Sequence, residues 1–186
     1  MTVQVKDSFW LLMAVIMLLD PNGMFIYFLI AAAVHELGHW IVIQLCHGKV
    51  TRLEISAAGG AMQYHLPKLS IWADVCIALG GPFLGLILWM IAGVTHHELL
   101  AGASLLLSIF NLLPIPPLDG GRAIECIFLP GHPFPQALSI FFAALILFLG
   151  IYAGIYHNGW GLCLIGVLLM LERQTGLHSL RIQGKI

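Results

Sequence analysis

The chain has 186 residues, of which 60% are hydrophobic and 9% charged, and its formal net charge is −1. Soluble domains carry roughly a quarter charged residues, so this composition is that of a membrane protein whose main partner is the lipid bilayer. It has no basic run and no aromatic-plus-basic patch, which excludes nucleic-acid binding, and its length is expected to hold one compact domain over residues 1–186.

The first apolar run, residues 9–19, ends at Asp20-Pro21-Asn22-Gly23, a strong turn signal. At about 1.5 Å per residue it falls short of a roughly 30 Å hydrocarbon layer unless its flanks join in. Lys6 gives it the look of a signal peptide, but no small-residue cleavage site follows, so the segment is expected to stay.

Residues 24–46 form the second span, which contains His35-Glu36-Leu37-Gly38-His39. On a helix His35 and His39 are one turn apart and share a face. Two imidazoles so placed can grip one zinc ion, with Glu36 beside them as a proton acceptor. Ionisable groups are costly within a span and ask for a reason. Pairing with neighbouring helices would satisfy them, yet packing alone does not require this order and spacing.

Residues 48–69 are more polar, carrying Lys49, Arg52, Glu54 and Lys68. Within them, residues 50–55 alternate as a strand does, and Gly59-Gly60 follows. This pattern predicts a short β-hairpin or re-entrant loop between spans 2 and 3. An open strand edge is not tolerated in lipid, so this backbone must line a protein or water-filled cavity. An ordinary interfacial loop is the plainer alternative.

Residues 71–94 form the third span, broken by Gly80-Gly81-Pro82, which predicts a kink or a tight helix crossing. Asp74 near its start reads as an interfacial residue beside Lys68. His96-His97-Glu98 reads as a surface turn, because adjacent histidines point in different directions on a helix. A fourth span starts at residue 99 and runs into Asn111-Leu112-Leu113-Pro114-Ile115-Pro116-Pro117-Leu118-Asp119-Gly120-Gly121. Its prolines break the helix, as happens at membrane depth where freed backbone serves a site. After a linker at 129–135, a fifth span is predicted at 137–156, a sixth at 160–171, and a polar tail at 172–186. The four cysteines are scattered and read as apolar fillers. The expected fold is an all-α polytopic membrane protein of about six transmembrane helices.

With six spans, all eight lysines and arginines fall in segments on one side, and the three opposite loops have none. The positive-inside rule then makes both termini cytoplasmic. His39 and Asp119 both approach that side, which brings two distant stretches to the same half of the bilayer.

Two histidines leave a catalytic zinc short of one protein ligand and one open position. Asp119 is the best candidate for the third ligand, since it follows a helix break and is flanked by glycines. A plain turn aspartate is its alternative role, and Glu125 and Glu98 are rivals, with Glu98 on the far side by the topology above. The two motifs together, HELGH in one span and Asn111-xx-Pro114-xxx-Leu118-Asp119-Gly120 in a later one, resemble the site-2 protease family of intramembrane zinc metalloproteases. The resemblance extends to Gly59-Gly60 and Gly80-Gly81-Pro82 and makes residues 24–122 the catalytic core. It implies one zinc held by His35, His39 and Asp119, with Glu36 as general base and Asn111 near the substrate, on the oxyanion or the peptide. It also implies a compact type without a PDZ or nucleotide-sensing domain, acting on a transmembrane protein substrate; any regulatory partner is unspecified.

A transmembrane helix hides its carbonyls in hydrogen bonds, so a substrate must unwind before hydrolysis. The strand region containing Gly59 and Gly60 is expected to hold the unwound segment by edge addition. Two other classes compete: a homologue that binds metal or peptide without hydrolysis, and a small metal-ion or proton transporter. Glu36 speaks against the first. Ionisable residues confined to two motifs, rather than spread along several spans, speak against the second.

Overall fold

The computed structural model describes residues 2–20, 23–56, 59–68, 70–128, 132–157, 160–161, 163–167 and 169. The backbone gathers into two compact units, Met1–Phe110 and Asn111–Ile186. The first unit contains strand β1 (Thr2–Val5), helices α1 (Asp7–Leu19) and α2 (Phe25–Leu45), strands β2 (Lys49–Ser56) and β3 (Gly59–His65), then helix α3 (Ile71–Val94) and helix α4 (Glu98–Asn111), which ends at the boundary.

Local chemistry explains the helix boundaries. The turn signal at residues 20–23 is used as a cap: Phe25 N–H donates to the Asp20 carboxylate at 2.6 Å, satisfying an otherwise unpaired donor at the start of α2. At its end, His47 takes φ 57°, while Gly48 N–H donates to Ile43 O and His47 N–H to Gln44 O. That is a Schellman closure, with histidine in the left-handed position usually given to glycine. The end of α3 repeats it: His96 has φ 60°, and His97 N–H donates to Ala92 O. The exposed His96-His97 pair therefore terminates a helix, as the surface reading expects. Ser70 caps the start of α3 through Ala73 N–H.

The polar stretch after α2 is a β-hairpin. β2 and β3 pair antiparallel from Lys49↔His65 to Ser56↔Gly59, with a bulge between Val50 and Arg52. The sheet has a third strand that alternation alone did not single out: β1 lies parallel to β2, and Lys6 N–H continues the ladder to Ile55 O at 2.9 Å. The order β1-β2-β3 covers one edge of the hairpin and leaves β3 as the other edge. The hairpin is seated on the helices by a small core of Ile43, Val50 and Ile77, lined by Val42, Met62, Tyr64 and Leu66. Tyr64 OH also donates to Asp74 Oδ1 at 3.0 Å. Asp74 thus ties the sheet to α3.

Helices α2 and α3 meet through glycines. A Cβ on Gly38 would lie 2.9 Å from the Gly80 carbonyl carbon and from Gly81 Cα, so only hydrogen fits between the backbones. The expected close crossing at Gly80-Gly81 is present, and α3 continues through Pro82. Farther along α3, Gly85 stands against the Ser108 hydroxyl of α4, which in turn donates to Ser104 O at 2.8 Å.

The second unit holds helix α5 (Asp119–Ile127) and helix α6 (Pro133–His157). Helix α5 was not anticipated; the break at Pro114 to Pro117 is followed at once by a new helix whose first residue is Asp119. Helix α6 begins at Pro133, four residues before the expected start at 137. Pro133 and Pro135 fit its first turn, where backbone N–H groups have no helical acceptor.

Among the described residues, α2, α3 and α6 are long and apolar enough to cross a bilayer, with mean hydropathies of 1.6, 2.2 and 2.5. α1 and α4 are shorter apolar helices. The expected sixth span falls partly, and the polar tail wholly, outside the described residues. Large apolar side chains such as Phe83, Met90, Phe141 and Phe148 are more than half exposed. Such surfaces suit lipid, and the chain is an integral membrane protein.

Candidate active site

His35 and His39 lie one turn apart on α2 and are buried, at 5% and 8% exposure. Their Nε2 atoms stand 3.2 Å apart, with the rings edge to face at 76°. Two nitrogens bound at 2.0–2.1 Å to one tetrahedral zinc would be separated by about 3.3 Å, so the pair fits a shared metal ion. His39 Nδ1 lies 2.7 Å from the carbonyl oxygen of Ile77 on α3. A carbonyl can only accept, so this nitrogen carries the proton and Nε2 is left with the lone pair that a metal needs.

The floor under the two Nε2 atoms is Gly81. A Cβ there would lie 2.7 Å from His35 Nε2 and 2.7 Å from His39 Cε1, filling the space an ion needs. The glycine pair on α3 therefore serves two purposes: Gly80 admits Gly38, and Gly81 keeps the histidine nitrogens accessible.

Glu36 follows His35 and is half-buried. Gly60 of β3 lies against its carboxylate: a Cβ on Gly60 would be 2.7 Å from Cδ, 2.8 Å from Oε1 and 3.0 Å from Oε2. Gly59 differs in kind. Its φ is +114°, a backbone region that disfavours other residues, and a Cβ there would meet open space. One glycine is required by the turn and the other by its neighbour.

In the second unit Asp119 is 7% exposed and opens α5, where the helix dipole favours a carboxylate. Its position follows from the glycines after it. A Cβ on Gly120 would lie 2.5 Å from the Leu112 carbonyl carbon, and one on Gly121 would lie 2.8 Å from Ile115 O. The start of α5 is thus folded tightly onto the 112–116 turn, which Ile115 N–H to Leu113 O and Leu118 N–H to Ile115 O close at 2.8 Å each. Asn111 ends α4 and is half-buried; Glu125 on α5 and Glu98 in the first turn of α4 are exposed.

No family model matches the chain. Among curated proteins it is similar to stage IV sporulation protein FB of Bacillus subtilis, 26% identical over 145 residues, covering 73% of this chain and 50% of that protein. It is also similar to a zinc metalloprotease of Methanocaldococcus jannaschii, at 31% over 117 residues, covering 56% and 34%. A putative zinc metalloprotease of Synechocystis is 29% identical over 105 residues, covering 50% and 28%. The chain spans half or less of the length of these relatives. Among solved structures, the site-2 protease from Methanocaldococcus jannaschii superposes with a TM-score of 0.67 at 20% identity, covering 93% of this chain and 89% of that one. The chain has the site-2 protease fold. The relatives and the fold together support the site-2 protease family. Zinc is the metal these relatives imply, in keeping with the histidine geometry.

Two contributors to this site escaped sequence reasoning. Ile77 acts through its backbone carbonyl, which no residue identity announces. Gly81 was legible only as part of a helix crossing, because its second role depends on which side chains lie across from it.

Proposed function

We propose that the chain is an intramembrane zinc metalloprotease, hydrolysing a peptide bond within or near the transmembrane segment of a membrane-protein substrate. The observation that carries this reading is the convergence of His35 Nε2 and His39 Nε2 at 3.2 Å, beside Glu36, in an apolar helix. In this reading Asp119 joins His35 and His39 as the third ligand of one zinc. Zinc held there supplies Lewis acidity, bringing the pKa of water towards neutral and polarising the scissile carbonyl. Glu36 takes the proton from the attacking water and delivers it to the leaving amine. The Ile77 carbonyl holds the His39 ring in its metal-binding tautomer throughout.

β3 is the sheet edge not covered by β1, and Gly60 on that strand adjoins Glu36. An unwound substrate segment adding to β3 pairs its backbone there and brings its carbonyls towards the base. Asn111 contacts the substrate on the oxyanion or the peptide. Six spans with both termini in the cytoplasm put the site in the cytoplasmic half of the bilayer, where water can reach it.

The experiment uses purified protein in phosphatidylcholine–phosphatidylglycerol vesicles with a single-span reporter carrying a Pro-Gly break in its span. Cleavage that is lost with a chelator, restored by zinc and lost in Glu36→Gln is expected. Zinc binding without cleavage of any helix-broken reporter would favour the non-catalytic homologue.

A further inference from the structure

We propose that Gly60 is a positioning residue for Glu36: beyond lying on the substrate edge, its missing side chain leaves the room in which the general base holds its working rotamer. The inference deepens the metalloprotease reading and rests on it.

The geometry is specific to the carboxylate. A Cβ at Gly60 would come within 3.0 Å of Cδ and both oxygens of Glu36, at the tip of the side chain. A methyl group there displaces a flexible end, not a backbone, so the fold can absorb it and the carboxylate must turn away. The strand cannot yield in its place. Gly60 is paired to Ile55 within the sheet, and the same hairpin is fixed by the Ile43–Val50–Ile77 core and the Tyr64–Asp74 hydrogen bond.

Backbone strain does not supply a rival explanation. Gly59 has a positive φ and Gly60 does not, so alanine at Gly60 suits its strand conformation. The two neighbouring glycines therefore separate two effects. Alanine at Gly59 strains the turn and touches nothing; alanine at Gly60 strains nothing and strikes the base. A misplacement of about 1 Å in a reacting group can cost on the order of a hundredfold in rate, so a small rotation of Glu36 is enough.

The test is a double-mutant cycle on the single-span reporter, with zinc content measured for each protein. Gly60→Ala is expected to lower kcat about tenfold or more, with KM and zinc per chain unchanged. Aspartate is one methylene shorter and withdraws from the Gly60 Cβ position. On a Glu36→Asp background, already slower, adding Gly60→Ala is expected to cost less than about twofold. Equal losses on both backgrounds, or a raised KM with kcat unchanged, would overturn the proposal and return Gly60 to a substrate-contact role alone.

A second readout needs no activity. With Cys46, Cys76, Cys126 and Cys163 replaced by alanine, Glu36→Cys with Gly60→Cys should cross-link rapidly under mild copper-phenanthroline oxidation, and Glu36→Cys with Gly93→Cys should not. Absence of the first cross-link removes the geometry and overturns the proposal. If the cross-link forms but the wild-type chain shows no chelator-sensitive cleavage, the protease reading fails and the proposal falls with it. Cleavage that Gly60→Ala leaves intact overturns the proposal alone.

Discussion

His39 Nδ1 on α2 stands 2.7 Å from the Ile77 carbonyl oxygen on α3, so the second helix selects the tautomer of a histidine borne by the first. The sequence supplies this coupling twice over: glycines bring the helix backbones together, and the resulting proximity orients the imidazole. Nitrogen-15 spectra of histidine-labelled protein are expected to show His39 with its proton on Nδ1 and none on Nε2. Protonation at Nε2 alone would contradict the assignment.

Gly81→Ala places a methyl group between the histidine nitrogens and the space a metal needs. Zinc affinity is expected to fall about a hundredfold, at the upper end of what disturbing a ligand's surroundings costs, while the helices still insert. Competition with a chromogenic chelator reads this directly. Affinity within about twofold of wild type would show that the site lies elsewhere.

Gly38→Ala tests the crossing itself. Its Cβ would press on the backbone of Gly80 and Gly81, where nothing flexible can give way. Overpacking of this kind costs about 1–3 kcal/mol, and a lowered midpoint of thermal unfolding in detergent is expected. An unchanged midpoint would mean the two helices are not in contact at this point.

The N-terminal strand should be pH-sensitive. Lys6 and Arg52 pair with Glu54, whose carboxyl is held below its ordinary value near 4.5, chiefly by the hydrogen bond from Lys6; desolvation, the next largest effect, raises it, and the charges of Lys6 and then Arg52 lower it again. A lowered folded-state pKa means the contribution is complete above the unfolded value and disappears as pH falls through the folded one. Hydrogen exchange at residues 2–5, corrected for intrinsic rates, is expected to accelerate in that acid range. In Glu54→Gln it should be fast at neutral pH and show no such step.

Tyr64→Phe removes the hydrogen bond to Asp74 that ties the hairpin to α3. A loss of about 0.5–1.5 kcal/mol is expected, with faster exchange localised to β3. Exchange unchanged in β3 would show that the apolar core alone seats the strand.

How much of this could be read beforehand varied with the physics involved. HELGH announced the histidine pair because helical periodicity is set by the backbone and needs no tertiary knowledge. The hairpin at 49–65 was legible from alternation, and α3 from its apolar length, although Gly80-Gly81-Pro82 left open a kink that the helix does not need. β1 was not, because four residues pairing with a strand some fifty positions away carry no local signature. α5 was hidden by the prolines before it, which signalled a break without saying that a helix restarts at Asp119. The hydrogen bond between Tyr64 and Asp74 was hidden because its two partners come from different elements. Gly60 and Gly81 were recognised as glycines of interest, but what each makes room for is a fact of three-dimensional contact.

The most direct test of the account is zinc content per chain in protein purified without a histidine tag, after zinc repletion, for wild type, Glu36→Gln, His35→Ala and Asp119→Ala. About one zinc in wild type and in Glu36→Gln, with little in the other two, is the predicted result, since the base is not a ligand and the outer residues are. Zinc retained in Asp119→Ala would remove the third ligand from the account, and a wild type that takes up none would contradict it outright.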